Sequence, residues 1–114
     1  MATVYQNLSA LQARHYLRHA TAPNRWFEFA NAKVKKYQKR YGDDFCLIVN
    51  GSHERDDAYV LPFAVAREVF TSDALDSRGR WVGTIIGGKL VLTPSNKSLM
   101  VAPYHNAFGL LGLQ

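Results

Sequence analysis

Cysteine, long apolar runs and the usual catalytic motifs are scarce in this sequence, and each absence narrows what the chain can be. The single cysteine, Cys46, excludes an internal disulfide, and its place in the apolar run 45–49 suits a buried thiol in a reducing, cytoplasmic protein. No apolar run approaches the roughly 20 residues that cross a bilayer, so we expect no membrane partner. Phosphate-binding glycine loops, dinucleotide fingerprints and serine-hydrolase elbows are missing, and we therefore expect no cofactor.

Metal ligands are also sparse. The four histidines and the single cysteine do not follow the spacing of a zinc site. Two pairs of adjacent acids, Asp43–Asp44 and Asp56–Asp57, could hold a metal ion if the fold brought them together. Adjacent acids at strand ends more commonly act as solubilising surface groups, so we predict no metal site.

Acidic residues are rare near both ends of the chain. Residues 14–41 hold eight lysines and arginines against one acid, residues 43–76 hold two against eight, and residues 78–114 hold four against none. The net charge of +5 and the pI near 9.6 favour a polyanionic partner. If the two basic blocks share one face and the acidic block the opposite one, the resulting dipole would orient the molecule on DNA or RNA.

Local patterns predict both helices and strands. Helical spacing of apolar residues and capping signals predict helices over about 7–19, 25–41 and 63–70. The second helix ends at Gly42, and Trp26 and Phe29 lie at the rim of its buried stripe. That stripe comprises Phe27, Ala30, Val34, Tyr37 and Tyr41. The predicted strands are 45–49, 58–61, 81–86, 89–93 and 99–101, with a tight turn at Gly87–Gly88.

Together these elements predict an α+β fold in a single domain. Two N-terminal helices would pack on a small, mostly antiparallel sheet of about five strands, curved enough to form a partly open barrel. The length of 114 residues is enough to bury a core but leaves no room for a second full domain. The apolar C-terminal segment fits a tail docked on the core, a homodimer contact, or a module of a longer protein.

The strongest functional signal is a row of cations on the second predicted helix. Lys33, Lys36 and Arg40 recur at intervals of three and four on one outward flank, and Lys35 and Lys39 form a neighbouring row. Like charges at this spacing repel, and a purely structural helix usually interleaves acids among them. The pattern therefore favours contact with nucleic-acid phosphates over a merely solvated face.

Other residues could extend a nucleic-acid surface. Arg78 and Arg80 lie in a glycine-containing loop before Trp81, and Lys89 follows the predicted hairpin turn. Asn50, Ser52 and His53 lie in the loop after the first predicted strand, where they could contact a base edge. The predicted binding residues are Arg25, Lys33, Lys36, Lys39, Arg40, Asn50, Ser52, His53, Arg78, Arg80, Trp81 and Lys89.

Two other functions remain open at this point. The run Tyr104–His105–Asn106 could supply the acid and base of a small, metal-independent ribonuclease or toxin-like enzyme, with His105 and Tyr104 as its catalytic residues. The acidic middle and the apolar C-terminus could instead bind partner chains, as in a protein-interaction subunit. We regard a chain without catalytic activity as the better reading.

The segment DDFCLIVNGSHERDDAYVLPFAVAREVF, residues 43–70, resembles segments of restriction-endonuclease and allied DNA-defence proteins. The resemblance lies in an acid-led apolar strand, a second strand ending in YVLP, and a short helix. The D/E-x-K triplet of PD-(D/E)XK nucleases is missing, as are the other ligands of an HNH site. The resemblance therefore implies a non-catalytic module that reads DNA, most simply duplex DNA, in a restriction, defence or regulatory context.

Overall fold

Residues 2–113, which the computed structural model describes, form four α-helices and seven β-strands in an α+β arrangement, confirming the predicted fold class. The helices are α1 (Thr3–Gln6), α2 (Leu8–Arg14), α3 (Asn31–Tyr41) and α4 (Phe63–Ala66). The strands are β1 (Tyr16–His19), β2 (Phe27–Ala30), β3 (Cys46–Asn50), β4 (Ala58–Pro62), β5 (Arg80–Ile86), β6 (Lys89–Thr93) and β7 (Ser98–Met100). Short 3₁₀ turns occupy Ser72–Ala74, Ala102–Tyr104 and Phe108–Leu111.

The strands form two sheets and not one curved barrel. One sheet has the order β1-β3-β4, with β1 parallel to β3 and β3 antiparallel to β4. The other has the order β2-β5-β6-β7 and is antiparallel throughout. Sequence analysis anticipated about five strands because it read the segments that become β1 and β2 as helix.

The three-stranded sheet is buried on both faces. One face packs against the four-stranded sheet and α3 to form the larger core. The other face packs against α1, α2 and the C-terminal 3₁₀ turns. All five residues of β3 are therefore buried, which explains why its sequence is continuously apolar up to its last residue. The buried residues of the second core are Val4, Leu11, Leu17, Cys46, Ile48, Ala58, Val60 and Phe108.

The predicted first helix is wrong beyond residue 14. The chain leaves α2 after Arg14 and pairs in parallel with β3, with Leu17 opposite Ile48. In an extended chain Tyr16 and Leu17 point to opposite sides of the sheet, and each is buried in a different core. This burial outweighs the weak helical pattern of the segment.

The predicted second helix is wrong over its first six residues. Phe27, Glu28 and Phe29 alternate inward, outward and inward in β2, which pairs with β5, and the helix begins only at Asn31. Phe27 and Ala30 fit the stripe of α3 by coincidence, because a spacing of three also matches a helix. Phe29 is fully buried and does not lie at a rim, whereas Trp26 is 43% exposed.

The other predicted elements are confirmed with small changes. The strand pairs β3–β4 and β5–β6 are antiparallel, as expected, and Gly87 and Gly88 both have positive φ in the turn between β5 and β6. α3 ends at Tyr41, before Gly42. The helix after Pro62 is shorter than predicted, and the C-terminal segment forms 3₁₀ turns.

The position of Phe29 gives a direct test of the strand assignment. Replacing Phe29 by Ala removes a fully buried ring and should lower the free energy of unfolding by about 3–5 kcal/mol. Trp26→Ala, three residues away in the same segment, should cost about 1 kcal/mol or less because much of that ring is already in water. Urea unfolding of both variants checks this, and equal losses would contradict the assignment.

Candidate nucleic-acid interface

Helix α3 presents an outward face made almost entirely of cations. Val34 is buried and Tyr37 and Tyr41 are half-buried, which fixes the inner side of the helix. At 100° per residue, the row of Lys35 and Lys39 then falls near the middle of the outward face, and the row of Lys33, Lys36 and Arg40 falls along one side of it. The exposed cations are Lys33, Lys36 and Arg40 in one row and Lys35 and Lys39 in the other.

The charge on α3 is uncompensated, unlike the charge elsewhere. Among residues 2–113, no carboxylate lies within 4.0 Å of these five side chains, whereas every other lysine or arginine except Lys89 has one within that distance. The five cations of α3 also equal the whole net charge of the chain, since the remaining nine lysines and arginines match the nine acids. The positive potential is therefore concentrated on one helix.

A groove beside α3 coincides with the predicted cation row. Its volume is about 310 Å³, and it is lined by Ala13, Lys33, Lys36, Tyr37, Arg40 and Tyr41. The Tyr37 hydroxyl donates a hydrogen bond to the Gln12 carbonyl oxygen at 2.9 Å, which fastens α3 to the end of α2. Burial raises the pKa of Tyr37, so this hydroxyl remains a donor. The groove thus has a rigid aromatic floor and a cationic rim.

The three charge blocks of the sequence are interleaved in space and do not form opposite faces. Arg14 pairs with Asp44 at 3.2 Å, and Arg25 pairs with Asp57 at the same distance, so the first basic block is joined to the acidic block. Arg67 pairs with Asp43 inside the acidic block itself. Much of the acidic block is therefore neutralised, which removes support for the acidic docking surface of a protein-interaction subunit.

Arg78 and Arg80 are held by two carboxylates. The Arg80 Nη1 atom lies 2.5 Å from Glu28 Oε1, and Arg78 Nη2 lies 3.1 Å from Glu28 Oε2 and 3.2 Å from Asp76 Oδ2. Asp76 also accepts hydrogen bonds from the backbone N–H groups of both arginines. These bonds lower the pKa of Asp76, and the bond from Arg80 is the largest cause. The hydrogen bond to Asp76, with that to Glu28, raises the pKa of Arg78. The loop is thus tied to β2 through Glu28 and to its own turn through Asp76.

The remaining predicted base-contacting residues are not brought together. Asn50 is buried, and Trp81 is 3% exposed with its indole N–H donating to the Thr71 carbonyl oxygen at 2.8 Å. Ser52 accepts the backbone N–H of Glu54 and of Arg55, so its hydroxyl organises its own loop. His53 is exposed and stacks on Tyr5, with ring centroids 4.3 Å apart. Lys89 is exposed at the start of β6.

Asp57 is the centre of a second ionic cluster that sequence reasoning missed. Its carboxylate is largely buried, and it contacts His105 Nε2 at 2.9 Å, Arg25 at 3.2 Å and Arg55 at 4.0 Å. Burial by itself raises the pKa of Asp57, but hydrogen bonds from His105 and Arg25 outweigh it and leave the pKa below its ordinary value. Asp57 thereby ties together three loop segments.

This cluster also bears on the predicted catalytic pair. Since Nε2 of His105 is taken by Asp57, only Nδ1 is left for proton transfer, and it points away from that carboxylate. Arg25 and Arg55 line, together with Asp57, a cleft of about 140 Å³. Tyr104 is half-buried against the larger core. The structure therefore does not gather Tyr104, His105 and a basic residue around one cleft.

Glu28 was missed for a different reason. It is the lone acid of the basic block 14–41, and it looked like an incidental surface residue. Its side chain is only 13% exposed and lies within 4.0 Å of Arg18, Arg78 and Arg80. The sequence feature that could have indicated the role of Glu28 is that it is a single acid among many cations, at an outward position of a strand.

The cluster at Asp57 predicts a specific pH dependence. Because the pKa of Asp57 is lower in the folded protein than the ordinary 3.8, its stabilising contribution is complete above about pH 4 and is lost as the pH falls through the lowered pKa. Asp57→Asn should therefore lower Tm at neutral pH and weaken its fall between about pH 5 and pH 2. The exposed Glu54→Gln serves as control, and an unchanged acid dependence in Asp57→Asn would contradict the assignment.

Several other kinds of site are not found in the described part of the chain. Among residues 2–113 no three His, Cys, Asp or Glu side chains are placed to hold a metal ion, and no helix there has the length and apolarity to cross a bilayer. Comparison of the chain with protein-family models, curated proteins and solved structures finds no match.

Proposed function

We propose that this protein is a nucleic-acid-binding module that grips the phosphate backbone, most simply of duplex DNA, through α3. The observation that carries the proposal is the outward face of α3, whose five cations have no acidic partner among residues 2–113 and equal the net charge of the chain. Phosphate contact releases condensed counterions, so such a face gives affinity that falls steeply with salt.

The arrangement of the cations favours a duplex. Lys33, Lys36 and Arg40 form one row along α3, and Lys35 and Lys39 form a second row about a third of a turn around the helix. A helix with its side chains is about 10–12 Å across, close to the roughly 12 Å width of the major groove of B-DNA. Two rows at that separation can reach the phosphates of both strands at once, which a single strand would not offer.

Sequence reading would require groups other than these lysines. Lysine contacts a phosphate as a point charge and carries little base information. Of the predicted base-contacting residues, Asn50 and Trp81 are buried and the Ser52 hydroxyl organises its own loop, so we assign any such role to exposed His53. The restriction, defence or regulatory context implied by the resemblance remains part of this proposal.

We place the protein in the cytoplasm. Cys46 lies in the second core, and burial raises the pKa of its thiol to about 11, which keeps it protonated and inert. A chain whose single cysteine is buried and unpaired gains nothing from an oxidising compartment.

A charge-matched pair of variants tests the role of α3. Replacing Lys33, Lys36 and Arg40 together by Gln should weaken duplex DNA binding at low salt at least about tenfold, and should reduce the slope of log affinity against log salt by up to about 0.9 for each lost phosphate contact. Gel shifts and fluorescence titrations at several salt concentrations measure both quantities. Single-stranded DNA and RNA of the same length establish the preferred form.

The control removes the same number of charges elsewhere. Arg55, Arg67 and Lys97 are each paired with an acid, so replacing these three by Gln should change DNA affinity far less than the α3 variant does. Equal losses in both variants would show a response to net charge alone. Unchanged affinity in the α3 variant would end the proposal.

A further inference from the structure

Three arginines from different parts of the chain converge on one carboxylate. Glu28 on β2 lies 2.5 Å from Arg80 at the start of β5, 3.1 Å from Arg78 in the preceding turn, and 3.8 Å from Arg18 on β1. Asp76 adds a second acid beside Arg78. Even with both acids ionised, this arginine cluster, comprising Arg18, Arg78 and Arg80, keeps an excess positive charge.

The carboxylate is largely covered, but the arginines are not. The Glu28 side chain is 13% exposed, whereas those of Arg18, Arg78 and Arg80 are 42%, 58% and 39% exposed. Arg80 uses only Nη1 on Glu28, and Arg78 uses Nε and Nη2 on the two acids. Within residues 2–113, Arg18 and Arg80 have no side-chain nitrogen that is both buried and unpartnered, and Arg78 is exposed, so these arginines keep N–H groups open to solvent.

This geometry prepares the guanidinium groups for an anion. A free arginine must lose rotamer freedom before it can bind phosphate, which lowers the affinity. Here hydrogen bonds to Glu28 and Asp76 hold one edge of the Arg78 and Arg80 guanidinium groups and leave another edge open, while Arg18 lies 3.8 Å from Glu28, beyond hydrogen-bond distance. The guanidinium fork matches phosphate geometry. An arrangement built only to fasten the loop would not need a third arginine.

The arginine cluster adjoins the cationic face of α3. The backbone N–H of Asn31, the first residue of α3, donates to the Gly79 carbonyl oxygen at 3.1 Å, and Gly79 lies between Arg78 and Arg80. Arg80 is also the register partner of Ala30. The row of Lys33, Lys36 and Arg40 therefore starts within one helical turn of the arginine cluster.

We infer that the arginine cluster is a second phosphate-binding site for the same nucleic acid, and that Glu28 is the residue that positions it. The inference rests on the proposed function of α3 and extends it to Arg18, which no sequence pattern indicated. In this arrangement an acid on a basic surface strengthens polyanion binding, because the order it imposes on Arg78 and Arg80, and its attraction of Arg18 to the same place, outweigh its own repulsion of phosphate.

The test depends on whether DNA affinity rises or falls when Glu28 is removed. Glu28→Ala raises the net charge by one, so a simple charge argument predicts tighter DNA binding. The positioning role predicts instead that affinity for duplex DNA falls about three- to tenfold, and that the salt slope decreases because phosphate contacts are lost. Glu68→Ala is the control: it makes the same change of charge at an exposed acid with no ion pair among residues 2–113, and it should leave affinity unchanged or slightly higher.

Further variants separate positioning from folding. Glu28→Gln carries the same charge as Glu28→Ala but keeps an oxygen that can accept from Arg80, so it should bind DNA more tightly than the alanine variant. Arg18→Ala leaves the closer pairs intact and should by itself lower affinity and the salt slope. Arg78→Ala should cost less affinity in the Glu28→Ala background than in the wild type.

Thermal unfolding confirms that each variant is folded before binding is measured. A folded Glu28→Ala protein that binds as tightly as wild type or more tightly, or an Arg18→Ala protein with unchanged affinity, would overturn the inference. If the α3 variant loses binding while these do not, the proposed function stands and only the second site fails. If the wild type binds no nucleic acid, both fail.

Discussion

The burial of β3 on both of its faces is the constraint on which the rest of the structure depends. A strand that meets a helical layer on one side and a second sheet on the other must be apolar along its length, and 45–49 is the most apolar strand segment in the chain. Its neighbour β1 has to be extended to pair with it, so the helix that precedes β1 ends early. The four-stranded sheet then completes the larger core. α3 packs against this core and contacts both β1 and β2.

In this fold, the positions of the carboxylates determine which cations are in ion pairs and which are available to a partner. Most arginines are drawn into ion pairs, and two partly covered acids, Glu28 and Asp57, each gather three basic side chains. Ion pairs between exposed partners contribute little to stability, whereas the covered carboxylates of Glu28 and Asp57 hold their basic partners in place. α3 is the exception, since its cations repel one another without compensation, and that cost is best explained by an anionic partner. The two surfaces adjoin, because the backbone N–H of Asn31 at the start of α3 donates to the carbonyl oxygen of Gly79, which lies between Arg78 and Arg80.

Sequence patterns predicted those parts of the fold that are determined by residues close together in the chain. The hairpins around Asn50 and Gly87–Gly88 and the cationic rows of α3 follow from residue spacing alone. The strands β1 and β2 could not be found this way, because Tyr16 and Phe29 are extended only through pairing with distant segments. The roles of Glu28 and Asp57 were hidden for the same reason, since their partners are up to 52 residues away. Exposure could not be predicted either: Trp81 was among the predicted nucleic-acid-binding residues but is part of the core.

The central claim is that one strip of the surface, formed by α3 and the arginine cluster, receives the nucleic-acid backbone. It is tested most directly by titrating ¹⁵N-labelled protein with a short DNA duplex at low salt and following every backbone amide. The account predicts that chemical-shift changes concentrate in residues 31–41 and around Arg18, Glu28 and 78–80, and that they fade together as salt is added. Changes confined to the loop around His53, or to the exposed side chains Ile86 and Met100 of the four-stranded sheet, would contradict it.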